Sequence, residues 1–237
     1  SAVVRVSDSA GTTADGTVTV RAALSLSPSS YTLAVNRSFT LSASNGVSGY
    51  AYSLLSGTGS VDATIGVYTA PASAGSATVR VTDTDSNTAD STITVNAALA
   101  ISPSSRAVAV NNSLTFSATG GVATYSYSQV SGSATINSTT GVFTAPASTG
   151  TSVIRVTDSQ SYTSDSTITI NAALSISPAS ITVAVGNTTG FTASNGAGGN
   201  SFTMVSGSGT INASSGSYTA PGSSGTDVVR VSDNLGN

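Results

Sequence analysis

The stretch Gly66–Asp83, GVYTAPASAGSATVRVTD, decides how this chain is read, because it comes back twice. Gly141–Asp158 reads GVFTAPASTGTSVIRVTD, and Gly216–Asp233 reads GSYTAPGSSGTDVVRVSD. Their prolines stand at 71, 146 and 221, a spacing of 75 residues both times. A fixed long period is the mark of a tandem array. The rest of the chain falls into the same frame. Ala22-Ala23-Leu24 recurs as Ala97-Ala98-Leu99 and Ala172-Ala173-Leu174, and SAVVRVSD at Ser1–Asp8 matches SATVRVTD at Ser76–Asp83. Four segments are expected: the last strands of a repeat (1–21), two whole repeats (22–96 and 97–171), and a repeat without its last strand (172–237).

Within a repeat the apolar residues alternate over short runs. Leu24-Ser-Leu26 ends at Pro28; Thr32–Val35, Phe39–Ser44 and Tyr50–Leu55 follow; Val79-Arg80-Val81-Thr82 is answered by Thr92-Ile93-Thr94-Val95. Turns are marked by Asn45-Gly46, Ser56-Gly57 and the Asx-type Asp62–Gly66. Alternation with period two and frequent turns predict strands, and no stretch has a helical period. The fold class expected is all-β, a series of antiparallel sandwiches. The inward set is Leu24, Leu26, Leu33, Val35, Leu41, Tyr52, Leu55, Val61, Tyr68, Val79, Val81, Ile93 and Val95, answered in the next repeat by apolar residues such as Val130, Phe143, Ile154 and Ile168. With Asp83–Asp90 read as a loop, Val81 faces Ile93, Arg80 faces Thr94 and Thr82 faces Thr92.

Composition sharpens this. Charged residues are 7% of the chain, against about a quarter in ordinary domains. All seven cations are arginine and all ten anions aspartate; Lys, Glu, His, Cys and Trp are absent. Disulfides and lysine–asparagine isopeptide locks are therefore excluded. A 75-residue unit buries only about 60% of its unfolded surface and gains from stacking on neighbours. With a net charge of −3 and no basic cluster, nucleic acid is not an expected partner. No apolar run is long enough to span a bilayer.

The GVYTAP and VRVTD motifs, together with the Ser-Pro strand, Leu33-Ala34-Val35 and the Tyr52 strand, resemble the bacterial immunoglobulin-like domain of the second group. Tyr52, Tyr127 and Phe202 stand where that family often has Trp. The resemblance implies tandem immunoglobulin-like sandwiches in large surface or secreted bacterial proteins, including adhesins of the intimin and invasin type, where most such domains are spacers. Between repeats, Ile93 to Ile101 keeps one alternation with no Gly or Pro, which limits hinging. A rod-like array is expected, with units roughly 30–40 Å long.

Chemistry is sparse. Ser and Thr abound, but no His, Lys, Cys or Glu stands ready to activate them, so neither an enzyme nor a cofactor is expected. The nearest approach to a metal site is the loop holding Asp83, Asp85, Asn87 and Asp90. Calcium takes six to eight oxygens, and the corresponding loops keep only Asp8 with Asp15 and Asp158 with Asp165. Turn capping by the first aspartate is the simpler reading, and no metal is assigned. Arg5, Arg80, Arg155 and Arg230 form a ladder that either grips an acidic glycan or pairs with surface aspartates.

The function expected is that of a structural spacer in an extracellular bacterial protein, an adhesin stalk or filament shaft. Its partners are neighbouring repeats and copies of itself; the incomplete ends are read first as a cut through a longer array, and alternatively as strands that complement one another head to tail. The alternative is an adhesive module for a surface glycan or host protein. The tips after the VRV strand (SAGTT, TDSNT, SQSYT, NLGN) differ in every copy, which favours the spacer.

Overall fold

The structure, a computed structural model, describes residues 1–236. It consists of strands and turns, and it packs as two compact units: residues 1–98 with 120–122, and residues 99–119 with those from 123 onward.

The first unit begins with a hairpin, β1 (Ala2–Ser7) against β2 (Thr13–Val18). Nine strands follow: β3 (Ser25–Ser27), β4 (Ser30–Ala34), β5 (Ser38–Thr40), β6 (Ser42–Ser44), β7 (Ala51–Gly57), β8 (Ser60–Val61), β9 (Val67–Thr69), β10 (Gly75–Thr82) and β11 (Thr88–Asn96). One sheet has the order β4-β11-β10-β7; the other layer joins β3-β6 and β5-β9-β8. All pairings are antiparallel except β4 with β11, which is parallel. A sheet of β7, β10 and β11 extended by the parallel strand β4, facing a second layer of antiparallel strands, is the immunoglobulin-like arrangement. Its core draws on both layers: Leu26, Leu33, Leu41, Tyr52, Tyr68, Val79, Val81, Ile93 and Val95 are buried together.

The second unit repeats this layout in β12 (Ala100–Ser102), β13 (Ser105–Ala109), β14 (Ser113–Thr115), β15 (Ser117–Thr119), β16 (Ser126–Ser131), β17 (Thr135–Ile136), β18 (Val142–Thr144), β19 (Gly150–Thr157) and β20 (Thr163–Asn171). It continues into a third body: β21 (Ser175–Ser177), β22 (Thr188–Gly190), β23 (Thr192–Ser194), β24 (Ser201–Ser206), β25 (Thr210–Ile211), β26 (Ser217–Thr219) and β27 (Val228–Ser232). There β27 pairs only with β24, and residues 180–185 form no strand.

Two expectations are corrected. Arg80 lies opposite Asp90, not Thr94; Val81 faces Ala89, Thr82 faces Thr88, and Ile93 faces Ala77. The turn is tighter than a loop spanning 83–90. Asp83 accepts the Asn87 amide, Ser86 takes a left-handed φ of 65°, and β11 already starts at Thr88. Leu55 and Val130 are not inward but about half exposed. The register of β7 on β10 steps from Ser56 to Leu54, leaving Leu55 as the unpaired extra residue of a bulge, and Val130 is passed over likewise. A bulge turns its extra side chain out of the alternation.

The recurring Gly-x-Tyr/Phe-Thr-Ala-Pro motif has a geometric cause. Gly66 and Gly141 have φ of +70° and +69°, and a Cβ there would come within 2.6 and 2.7 Å of the Leu41 and Phe116 carbonyl oxygens. Only glycine fits such a place. The aromatic two positions on, Tyr68 or Phe143, is fully buried. Ala70 N–H donates to the Arg37 carbonyl, and the Pro71 carbonyl accepts the Asn36 N–H. Proline loses nothing here, because only its oxygen is used.

Candidate functional site

The polar groups collect in three places: the turn after β10, the ladder beside it, and the junctions between successive bodies. Asp83, at the end of β10, is buried. Its Oδ1 accepts the N–H groups of Asp85 (3.0 Å) and Asn87 (2.8 Å), and its Oδ2 accepts the N–H of Val47 (2.9 Å). The Asn87 side-chain amide donates to both oxygens. The Asn87 amide first, and the Val47 N–H next, hold the Asp83 carboxyl below its usual range. The same turn recurs: Asp158 Oδ1 accepts the N–H groups of Gln160 and Tyr162, and Asp233 accepts those of Leu235 and Ala197. Asp8 caps its own turn through Ala10 and Thr12. One carboxylate thus closes the hairpin and, in Asp83 and Asp233, also ties in a loop 36 residues back in the chain.

The structure does not bring the four oxygen-bearing residues of the first turn into one cage. Asp83 directs its oxygens at backbone and amide donors, Asn87 is one of those donors, and Asp90 accepts from Arg80. Among the described residues no three His, Cys, Asp or Glu side chains cluster as metal ligands do.

Arg80 and Asp90 meet as two parallel bonds, Nε to Oδ1 and Nη2 to Oδ2, both 2.8 Å. Arg155 with Asp165 (2.7 and 2.7 Å) and Arg5 with Asp15 (2.6 and 2.7 Å) do the same. In each hairpin the two residues are direct cross-strand partners. The bidentate geometry lowers each aspartate's pKa and raises each arginine's. Both partners remain substantially solvated, so the pairs fix register more than they add stability. Arg230, the fourth of the series, makes no side-chain hydrogen bond or ion pair among the described residues, and its backbone lies opposite Thr203 in the β24–β27 pair. Of the two readings of the arginine ladder, aspartate pairing accounts for three of its four members.

The junctions are a site that sequence reasoning missed. Asn171, the last residue of β20, donates its side-chain amide to the Gly196 carbonyl (2.7 Å), and Gly196 N–H donates to Ala172 O (2.9 Å). Asn96 meets Gly121 in the same way (2.7 Å), with Gly121 N–H on Ala97 O (2.8 Å). Each strand end is thereby fastened to a loop 25 residues on, between β15 and β16 or between β23 and β24. The available signal was an asparagine at the same register in both copies, 96 and 171, with Arg21 in that place in the opening segment.

No family model matches the chain, and none of the curated proteins does. Among solved structures it is similar to the C-terminal 282-residue fragment of intimin, in complex with the intimin-binding domain of the translocated intimin receptor, at 14% identity and a TM-score of 0.47. That likeness covers 67% of this chain and 66%, just under two thirds, of the other. It is also similar to mouse cadherin-23 EC22–24 (15% identity, TM-score 0.27, covering 84% of this chain and 88% of that one). A third likeness is to protocadherin gamma B2 domains 3–6 (12%, 0.28, 98% and 78%). The immunoglobulin-like fold stands on strand order and register. No helix among the described residues is long and apolar enough to cross a membrane, which says nothing of β-barrels.

Proposed function

We propose that this chain is a spacer: a stalk or shaft segment of a large extracellular bacterial protein, built from immunoglobulin-like domains of the second bacterial group. The observation that carries the reading is the junction. Only three residues separate β20 from β21, and both a side-chain and a backbone hydrogen bond pin that step. A connection with so few free torsions transmits position from one body to the next, as a spacer requires. Three further features support it. The surface carries few charges, the turn tips differ in every copy, and the buried turn carboxylates are occupied in holding loops together. On this reading the chain catalyses nothing and holds no cofactor.

The competing reading is an adhesive module that binds a glycan or a protein. A labelled 1–237 chain on a glycan array is expected to give no saturable signal. A specific hit with a dissociation constant below about 10 μM, worth about −7 kcal/mol, would overturn the spacer reading. So would nanosecond reorientation of the bodies as independent beads, read from NMR relaxation, with no change on Asn171→Ala.

A further inference from the structure

The loop that each junction fastens carries a reactive dipeptide in two of its three copies. It is Asn45-Gly46 in the first body and Asn195-Gly196 in the third, whereas the second has Gly120-Gly121. Asn195 and Gly196 have φ of 66° and 68°, and Asn45 and Gly46 have 63° and 58°, the left-handed pair that an Asn-Gly turn supplies. Asparagine is the thermolabile member of such a pair. The nitrogen that follows it can attack its side-chain amide, and glycine puts no side chain in the way. Asn195 is exposed, and its amide makes no hydrogen bond among the described residues. Asn45 is exposed too, and its amide donates one long bond, 3.4 Å, to Ser25 Oγ.

The attacking nitrogen is already engaged at both places. Gly196 N–H donates to the Ala172 carbonyl (2.9 Å), and Gly46 N–H donates to the Ala22 carbonyl (3.0 Å). The next N–H, of Ala197 or Val47, is held by the turn carboxylate of Asp233 or Asp83. Gly196 is buried, and a Cβ there would meet Asp233 Oδ2 at 2.8 Å. In the third body one more bond holds the same residue, from the Asn171 amide to Gly196 O (2.7 Å). The first junction lacks that bond: position 21 holds arginine where 96 and 171 hold asparagine, and Arg21 makes no hydrogen bond among the described residues. A nitrogen held in this way neither loses its proton to water nor swings onto the neighbouring side chain until the loop lets go. Reaction therefore runs through the opened form, and its rate follows the population of that form.

We propose that Asn45 and Asn195 are self-modifying sites, and that the junction bonds on the glycine after each one hold the reaction back. The inference rests on the geometry of the loop and not on the spacer reading. When the loop opens, Gly196 N bonds to Asn195 Cγ, the Cγ–Nδ2 bond breaks, and the proton of the attacking nitrogen leaves with Nδ2 as ammonia. The product is a cyclic imide. Water then adds at one of its two carbonyls. Breaking the bond from nitrogen to Cγ leaves aspartate; breaking the bond from nitrogen to the backbone carbonyl carbon leaves isoaspartate, whose main chain runs through the former side chain. Either product adds a negative charge to a loop already held by the Asp233 carboxylate. Isoaspartate also lengthens the main chain ahead of Gly196, so the bonds to Ala172 and Asn171 cannot both re-form. A joint that opens often is thereby fixed in its loosened form, while one that stays shut is unchanged. Gly120-Gly121 has no side-chain amide to react, so the joint it serves is exempt.

The test is to age the 1–237 chain in mildly alkaline buffer and follow both asparagines by peptide mapping and mass spectrometry, with the chain in denaturant as reference. Conversion should be measurable at both sites and much slower than in denaturant. Asn171→Ala should speed it at Asn195 by about two- to tenfold, the range set by one lost hydrogen bond, and leave Asn45 unchanged. Arg21→Asn should slow Asn45 by a similar factor and leave Asn195 unchanged. Amide hydrogen exchange keeps local opening apart from a general loss of stability. In Asn171→Ala, exchange at Gly196 should rise by the same factor as the conversion, with the amides of β24 unchanged. Conversion as fast in the folded chain as in denaturant, no conversion on prolonged ageing, or a rate at Asn195 indifferent to Asn171→Ala would each overturn the proposal. So would a rise in exchange shared equally by Gly196 and β24.

Discussion

The first and third bodies share one motif pattern and end up differently. In the first, Ser30–Ala34 is a strand with Leu33 buried at 1% exposure; in the third, the matching residues 180–184 form none, and Val183, in Leu33's place, is only half-buried. The strand before it differs too: β10 spans eight residues, whereas β27 spans five. The strand that runs between them in the first body, β11, has no counterpart within residues 172–236. Alternation makes a segment able to pair, but a strand at the edge of this sheet exists only when its neighbour supplies the hydrogen bonds and the apolar cover. The parallel pair β4–β11 is a tertiary feature, however local its sequence signal looks.

The most forceful way to break the comparison is to truncate the same position in both bodies. Leu33→Ala should cost about 2–5 kcal/mol, measured by denaturant unfolding. Val183→Ala in dilute protein should cost under about 1 kcal/mol, because that site is already open to water. Equal losses would mean the third body is closed in solution.

The turn carboxylates give the next effect. Asp83 has a folded pKa below its unfolded one, so its contribution to stability is present above the unfolded value, about 3.9. It is lost as pH falls through the lower folded value. Thermal melts of the wild type should therefore fall at acid pH. Asp83→Asn should start lower at neutral pH and lose some of that acid limb; an unchanged acid limb would remove Asp83 from the account.

A smaller effect separates the first two sandwiches. Ser152 is fully buried with its hydroxyl unbonded, at the place where the first sandwich has Ala77. An unsatisfied buried polar group costs about 1–3 kcal/mol, so Ser152→Ala should raise stability by about 1 kcal/mol. A loss would mean that the hydroxyl has a partner in solution. The smallest change expected is at the bulge. Leu55→Ser should shift stability by no more than about 0.5 kcal/mol, whereas burial on the alternation pattern would make it costly.

Much of the fold was legible because period-two alternation and turn residues are local. The Asx turn is a case: Asp62 Oδ1 accepts the N–H groups of Thr64 and Ile65, as expected from Asp62–Gly66. Register was not legible in the same way. Sliding β11 by four residues leaves every apolar side chain on the same face, so alternation cannot distinguish Arg80 opposite Thr94 from Arg80 opposite Asp90. The deciding facts are the length of the Asp83 turn and the ion pair. The bulge left a weak signal. Alternation from Tyr52 points to Leu54, which is half-buried, whereas placing Leu55 and Val130 inward carries the pleat straight through a bulge that breaks it. At the junctions, Asn96 and Asn171 reach carbonyls 25 residues away, a distance over which sequence pattern carries no geometry.

The parallel contact between β4 and β11 has a mechanical side. The chain enters each complete sandwich just before one of these strands and leaves it at the end of the other, and the two point the same way. Tension applied through the neighbouring bodies therefore pulls the paired strands in opposite directions along their own axes. The backbone bonds of that five-residue ladder are loaded together, in shear, and must yield together. In an antiparallel hairpin such as β1–β2, pulled apart at its open end, the bonds would break in succession, each under the full load. Resistance to stretching in each complete sandwich is thus set by the join between its first and last long strands.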